Sequence, residues 1–200
     1  LRETPFKDVF IHPAPGDSGG AVGAAQYVWH VILQNKREFV MEHAYTGKGY
    51  TDGEIQGFLE EQDIPYEMFA DDQELVDGLV DDLVDGKVIG WFQGQFEWGP
   101  RALGNRSILA DPRRAEMKEI VNSKIKFREP FRPFAPVILE ERANEFFDGL
   151  PDISSCMPAR YMLLVLPWNG EAGERVPAVN HMGTGRLQTI RREWNTRYYD

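Results

Sequence analysis

Two stretches of this sequence gather cations in patterns suited to binding anions. In Gly94-Gln-Phe-Glu-Trp-Gly-Pro-Arg-Ala-Leu-Gly-Asn-Arg-Ser107, Arg101 and Arg106 stand five residues apart and the Ser107 hydroxyl follows directly. Gly94 and Gly99 have the separation of a phosphate-binding P-loop, but Pro100-Arg101 occupies the place of the required Lys-Ser/Thr, so that reading fails. What remains is a glycine-rich loop with two guanidinium forks, each suited to bidentate phosphate or carboxylate binding. The plainer alternative pairs these arginines with local acids such as Glu97 and Asp111. The second stretch, Asn122 to Pro136, carries Lys124, Lys126, Arg128 and Arg132 within nine residues. Pro130 and Pro133 stiffen it, and Phe127, Phe131 and Phe134 can anchor it to a core. Rigid cations at fixed distances are what a polyphosphate site needs, because charge is then stabilised without reorganisation.

A third segment, Pro13-Ala-Pro-Gly-Asp-Ser-Gly-Gly-Ala21, leads into a helical pattern. Glycines at such a junction let backbone N–H groups approach a phosphate, and a helix N-terminus favours negative charge. Ser18, Gly19 and Gly20 are candidates for that contact. Asp17 and Ser18 are equally suited to plain helix capping, and Asp17 alternatively to ligating a hard divalent metal. The histidines His12, His30, His43 and His181 show no i,i+4 pair, so any metal must take further ligands from elsewhere.

The net charge of −10 hides a segregation. Thr51 to Gly86 holds thirteen acids and no Lys or Arg, whereas Arg101 to Arg142 holds ten Lys and Arg against six acids. An anionic ligand is drawn to the second region; the first reads as a solvated face. Interleaved aromatics also suit single-stranded nucleic acid, but the patch is short and the overall balance acidic, which argues against that partner. No apolar run reaches the ~18 residues of a membrane span. The single cysteine, Cys156, precludes an internal disulfide and fits a reducing cytoplasm. The first residue is not methionine, and the sequence reads as part of a longer protein.

The elements that must position these residues alternate, which predicts an α/β class. The patterns predict a short strand at Asp8–Ile11, a helix from Asp17 or Ser18 to about Asn35, and a loop over residues 43–53. Short helical patterns cover Glu54–Gln62 and Glu140–Phe147. Leu75/Val76, Leu79/Val80 and Leu83/Val84 recur every four residues, predicting an amphipathic helix over Asp72–Asp85 closed by Gly86. Strands are expected at Val88–Gln93, Phe134–Leu139, Tyr161–Leu166 and, more weakly, Arg186–Ile190, and a helix around Arg114–Ile125.

The stretches Phe92–Pro112, Ile125–Pro136 and Pro13–Ala25, together with Gly185-Arg-Leu-Gln-Thr-Ile190, closely resemble the O-carbamoyltransferases of nodulation-factor, cephamycin and aminoglycoside biosynthesis. The resemblance implies the end of an actin-like ATPase domain over 1–45, a connecting segment over 46–74 and a YrdC-like α/β domain over 75–200, incomplete at its end. It implies an enzyme that makes carbamoyladenylate from carbamoyl phosphate and ATP and passes the carbamoyl group to a hydroxyl of a sugar or antibiotic-like acceptor. Iron or a similar divalent metal, with Mg2+ as a possible companion of ATP, is the expected cofactor. Asp17 matches the metal-binding aspartate, and Ser18, Gly19 and Gly20 its nucleotide-contacting neighbours. Arg101, Arg132 and Arg186 sit where arginines of the carbamoyl-phosphate and ATP site are expected, with Lys126, Arg106 and Ser107 beside them. The paired metal histidines and a downstream Asn-Thr-Ser-Phe-Asn-type segment of the family are absent, so the isolated chain is expected to be inactive as a transferase. A YrdC-type carbamoyl-AMP or threonylcarbamoyl-AMP synthase and a non-catalytic nucleotide-binding module are the competing readings.

Overall fold

The computed structural model describes residues 3–6, 8–149 and 152–200. Helix α1, Asp17–Tyr27, runs on into a π-helical turn, Val28–Ile32. Its cap position is Gly16, with no side-chain acceptor, so Asp17 and Ser18 lie inside the first turn and do not cap it. No residue of α1 or its π turn is buried, and Tyr27, Trp29 and Ile32 are more than half exposed. The strand expected at Asp8–Ile11 is absent. Val9 and Phe10 are exposed there, and a lone strand without a ladder partner has nothing to hold it extended.

The expected loop over 43–53 contains instead strand β1, Tyr45–Gly49, which pairs antiparallel with β3, Gln95–Glu97. Its glycines are packing glycines: a Cβ on Gly47 would lie 2.7 Å from the Cβ of Phe96. Helix α2, Asp52–Glu61, begins with a reciprocal Thr51–Glu54 capping box. Helix α3, Asp72–Val84, matches its four-residue period, is capped by Asp71, and ends before Gly86 at φ +87°. Strand β2, Ile89–Phe92, then pairs antiparallel with β4, Arg106–Leu109, which sets Trp91 opposite Ser107 and Phe92 opposite Arg106. Helix α4, Met117–Ile120, continues as a π turn, Val121–Ile125.

Strand β5, Val137–Leu139, is parallel to β8, Gln188–Ile190, and β6, Val165–Pro167, pairs antiparallel with β7, Thr184–Arg186. Helix α5, Ala143–Phe146, follows β5, and α7, Thr196–Tyr199, closes the chain. The strand expected over Tyr161–Leu166 begins only at Val165. Helix α6, Met157–Arg160, ends just before it, and Met162 turns left-handed at φ 54° while the Leu163 N–H returns to the Pro158 carbonyl. The architecture is mixed α/β, but its described sheets are four two-stranded ones rather than one continuous sheet.

Two buried clusters flank the β5–β8 pair. One contains Ile138, Phe147, Ile153, Ala159, Trp168 and Leu187; the other contains Ala44, Tyr45, Leu103, Tyr161 and Ile190. Phe147 stacks on Trp168 with ring centroids 4.2 Å apart. Burying side chains such as Phe147 and Leu187 contributes ~1.5–3 kcal/mol each. Leu187 is fully buried at the break between β7 and β8, which fixes its neighbours Arg186 and Gln188 at the wall of the cleft described next.

Candidate anion-binding cleft

The loop between β3 and β4 is organised by a single carboxylate. Glu97 Oε1 accepts the backbone N–H groups of Leu103, Asn105 and Arg106 at 2.7, 2.8 and 3.2 Å. From the other side, the Leu103 carbonyl accepts from the Tyr45 hydroxyl at 2.7 Å and from Gln188 Nε2 at 2.6 Å. Burial pushes the Tyr45 hydroxyl up to about 12, so it stays a donor at neutral pH. Gly104, at φ +116°, lies against the Tyr198 ring, where a Cβ would come within 2.3 Å. Gly99, at φ +121°, leaves room for the Pro13 carbonyl, which a Cβ would approach to 3.0 Å. The turn ahead of α1 thus abuts the loop that carries Arg101.

Arg101 and Arg186 open onto a cleft of about 710 Å³. One side is apolar, formed by Val76, Leu79, Val80 and Leu83 of α3 with Trp91 and Met162; Arg101, Lys126, Arg128 and Arg186 supply its cationic lining together with Arg197, which pairs with Asp72, and Ser107 and Gln188 also face it. Arg101 Nη1 and Arg186 Nε are buried and have no hydrogen-bond acceptor among the described residues. The cations act on one another. Desolvation, then Arg101, then Arg128 hold Arg186 below the usual arginine value. Desolvation and then Arg132 do the same to Arg128, against a weaker opposing pull from Glu129. Lys126, although exposed as a residue, is lowered first by desolvation and then by Arg128. Among the described lining residues the one carboxylate side chain is Asp200, which pairs with Arg192 at 3.0 Å.

The local acids that might have neutralised these arginines are engaged elsewhere. Glu97 serves backbone N–H groups, and Asp111 holds Arg113 in a fork whose hydrogen bonds keep its carboxyl below the usual aspartate range.

Other sequence-selected residues lie away from the cleft lining. Arg106 stacks between Phe92 and Phe96, its Cζ 3.6 and 4.0 Å from the ring centroids, and donates to the carbonyls of Gln93, Gly94 and Asn105. Its Nη donors serve the backbone rather than the cleft. Arg132 is half exposed and paired with Glu129 at 2.7 Å. Asp17, Ser18, Gly19 and Gly20 occupy the first turn of α1, outside the cleft. Gly19 itself cannot open toward a ligand on its Cα side, because the Ala14 carbonyl and the His12 ring fill that space.

Three of the histidines are also occupied locally. His12 Nδ1 and His43 Nδ1 accept the N–H groups of Ala14 and Tyr45, and His30 Nδ1 meets the Asn35 carbonyl. No three His, Cys, Asp or Glu side chains among the described residues are placed to share a metal ion. Likewise, no described helix is long and apolar enough to cross a membrane.

Arg128, which the sequence places among the cations of the second stretch, lines the cleft, as do Arg197 and Gln188, which the sequence did not single out as site residues. Arg128 had a signal, its i,i+2 spacing from Lys126 in a stiffened loop. Arg197 and Gln188 had none, because their placement depends on α7 and on the β5–β8 pairing.

Comparison with known proteins gives two family matches: a model of the carbamoyltransferase C-terminus over residues 80–200 and one of the carbamoyltransferase N-terminus over residues 1–26. The chain is 41% identical over 202 residues to nodulation protein NolNO of Sinorhizobium fredii, covering all of this chain and 29% of that protein. It is 39% identical over 189 residues to nodulation protein U of Bradyrhizobium diazoefficiens, covering 94% of this chain and 30% of that protein. The uncharacterized protein sll1178 of Synechocystis is 39% identical over 226 residues, with 100% of this chain and 36% of that protein covered. The chain therefore spans about a third of the length of these relatives.

Proposed function

The chain belongs to the carbamoyltransferase family, and from that premise we propose that its cleft binds carbamoyl phosphate and ATP for the activation half of an O-carbamoyl transfer. The observation that carries this reading is the pair of buried donors, Arg101 Nη1 and Arg186 Nε, which lack protein acceptors and stand among Lys126 and Arg128. Unpaired buried donors are costly, and mutually repelling cations raise that cost; a phosphate dianion relieves both. The dimensions suit the two substrates together, with triphosphate against the cations and the adenosine against the apolar side formed by α3 and Trp91.

In the proposed reaction, water takes the phosphoryl group of carbamoyl phosphate, the P–O bond to the carbamoyl group breaks, and phosphate departs, leaving carbamate in the cleft. A carbamate oxygen attacks the α-phosphorus of ATP, forming the carbamoyladenylate bond as the bond to pyrophosphate breaks. Arg101, Arg186, Lys126 and Arg128 hold the phosphoryl oxygens and take up the charge that moves to the leaving pyrophosphate. Because Glu97 fixes the Arg101 loop through three N–H groups, that charge is met without reorganisation. An acceptor hydroxyl, on a sugar or an antibiotic-like alcohol, then attacks the carbamoyl carbon and AMP leaves. In this reading, residues 75–200 form a YrdC-like domain, and residues 1–45 end an actin-like domain in which the transfer takes place.

The remainder of that N-terminal domain would cover the exposed Tyr27, Trp29 and Ile32 of the α1 region, since a helix apolar on every side is ordinarily enclosed. Asp17, exposed and without companion ligands among the described residues, offers one oxygen donor to a divalent ion. A single carboxylate does not hold such an ion, so no step of the activation chemistry is assigned to a metal on this chain.

Hydrogen exchange of this chain with each substrate in turn tests the proposal. Carbamoyl phosphate is expected to slow exchange in the 99–107 and 122–134 loops, and ATP to slow it there and along α3. No protection by either substrate would contradict the assignment.

A further inference from the structure

Asn122 is completely buried in the π turn that ends α4, and all its side-chain hydrogen bonds go to one loop. Its Oδ1 accepts from Arg128 Nε at 2.6 Å. Its Nδ2 donates to the carbonyl of Arg132 at 3.1 Å and, at 3.4 Å, to that of Pro130. The backbone closes the same loop, since the Arg128 N–H donates to the Asn122 carbonyl at 3.0 Å. The amide orientation is fixed by chemistry: a guanidinium can only donate and a carbonyl can only accept.

The choice of partner is informative. An arginine held at a fixed place in a structure ordinarily pairs with a carboxylate, which cancels its charge. Arg128 instead rests on a neutral amide, with its Cζ 4.8 Å from the Phe134 ring centroid, and lines the cationic part of the cleft. Its Nη groups have no acceptor among the described residues. The neighbouring Glu129 is spent on Arg132. Phe127, left-handed at φ 48°, lets the chain reverse so that Lys126 and Arg128 both face the cleft.

We infer that Asn122 is the positioning residue for Arg128: it occupies Nε, fixes the guanidinium plane and leaves the full positive charge for a phosphate. This rests on the reading of the cleft as a phosphate site. Asn122→Asp would keep the acceptor and neutralise Arg128 while losing the N–H donors to the Arg132 and Pro130 carbonyls, whereas Asn122→Ala would remove every side-chain hydrogen bond and leave the charge.

The test is a double-mutant cycle in carbamoyl phosphate affinity, measured by titration calorimetry on the whole chain with thermal melts alongside. Arg128→Ala is expected to weaken binding roughly tenfold or more, as for loss of a charged hydrogen bond. Asn122→Asp is expected to weaken it by a similar factor and more than Asn122→Ala does. Combined with Arg128→Ala, Asn122→Asp is expected to add less than about twofold, the signature of coupled residues. A merely structural amide predicts instead affinity losses that follow the loss of melting temperature and add to that of Arg128→Ala; that result would overturn the inference. Unchanged affinity in Asn122→Asp would overturn it as well. Should the Asn122 variants fail to fold, the wild-type Arg128 Nε–H decides by NMR: slow solvent exchange with and without carbamoyl phosphate is expected, and fast exchange contradicts it. If the wild type does not bind carbamoyl phosphate at all, it is the reading of the cleft that fails, and the positioning role falls with it.

Discussion

The two cation-bearing loops are built by opposite means. The loop that carries Arg101 is fixed through its backbone: Glu97 takes three N–H groups, while Tyr45 and Gln188 hold the Leu103 carbonyl. No hydrogen bond in that network touches the Arg101 guanidinium. The loop that carries Lys126 and Arg128 is fixed through one side chain, Asn122, which grips the guanidinium itself. A carboxylate is tolerated in the first loop because it is aimed at backbone and away from the cation. In the second, where the anchor touches the cation, it is an amide. Both arrangements leave positive charge unneutralised at one cleft, which is how a site keeps affinity for a highly charged anion.

Substitutions can break this comparison at different depths. Replacing a cation whose donors are unspent should have the largest effect: Arg101→Ala or Arg186→Ala is expected to cost ~3 kcal/mol of carbamoyl phosphate binding, about a hundredfold, with little change in melting temperature. Glu97→Ala should act on the scaffold, lowering stability by about 2–3 kcal/mol in thermal or denaturant unfolding as buried N–H groups lose their acceptor. Glu97→Gln, which keeps an acceptor oxygen, should recover most of that loss.

The pH dependence sharpens the contrast between lysine and arginine. Desolvation and Arg128 hold the Lys126 pKa below the ordinary lysine value. Carbamoyl phosphate favours the charged form, so affinity should fall as pH rises through that lowered pKa, earlier than an ordinary lysine would allow. Lys126→Arg, charged throughout, should remove the fall over the same pH range in a calorimetric pH series. At the small end stands Arg132→Ala: its exposed pair with Glu129 is worth ~0–1 kcal/mol, and binding should change less than about threefold.

Much of this was legible in the sequence, for stated reasons. The four-residue period of α3 and the terminating Gly86 were readable because helix periodicity and left-handed glycine are local signals. The cationic stretches were readable because residue type and spacing carry them. The fate of each guanidinium was not. Arg101, Arg106 and Arg132 look alike in sequence, yet Arg106 turns its Nη groups to backbone carbonyls between two phenylalanines, outside the cleft lining, and Arg132 pairs with Glu129. Those outcomes depend on the pairing of β2 with β4 and on the turn at Phe127, which are tertiary facts. Strand β1 was hidden for a related reason: Gly47 and Gly49 read as loop, although they are there to let β3 approach. Asn122 gave no signal, since an asparagine ahead of a basic stretch looks like any other polar residue.

The most direct test of the account compares two arginines that the sequence could not tell apart. Carbamoyl phosphate would be titrated calorimetrically into the wild-type chain, Arg186→Ala and Arg132→Ala under one salt condition. Binding is expected to be lost in Arg186→Ala and retained in Arg132→Ala. Equal losses in both variants, or loss in Arg132→Ala alone, would contradict the claim that the cleft and its unspent donors form the anion site.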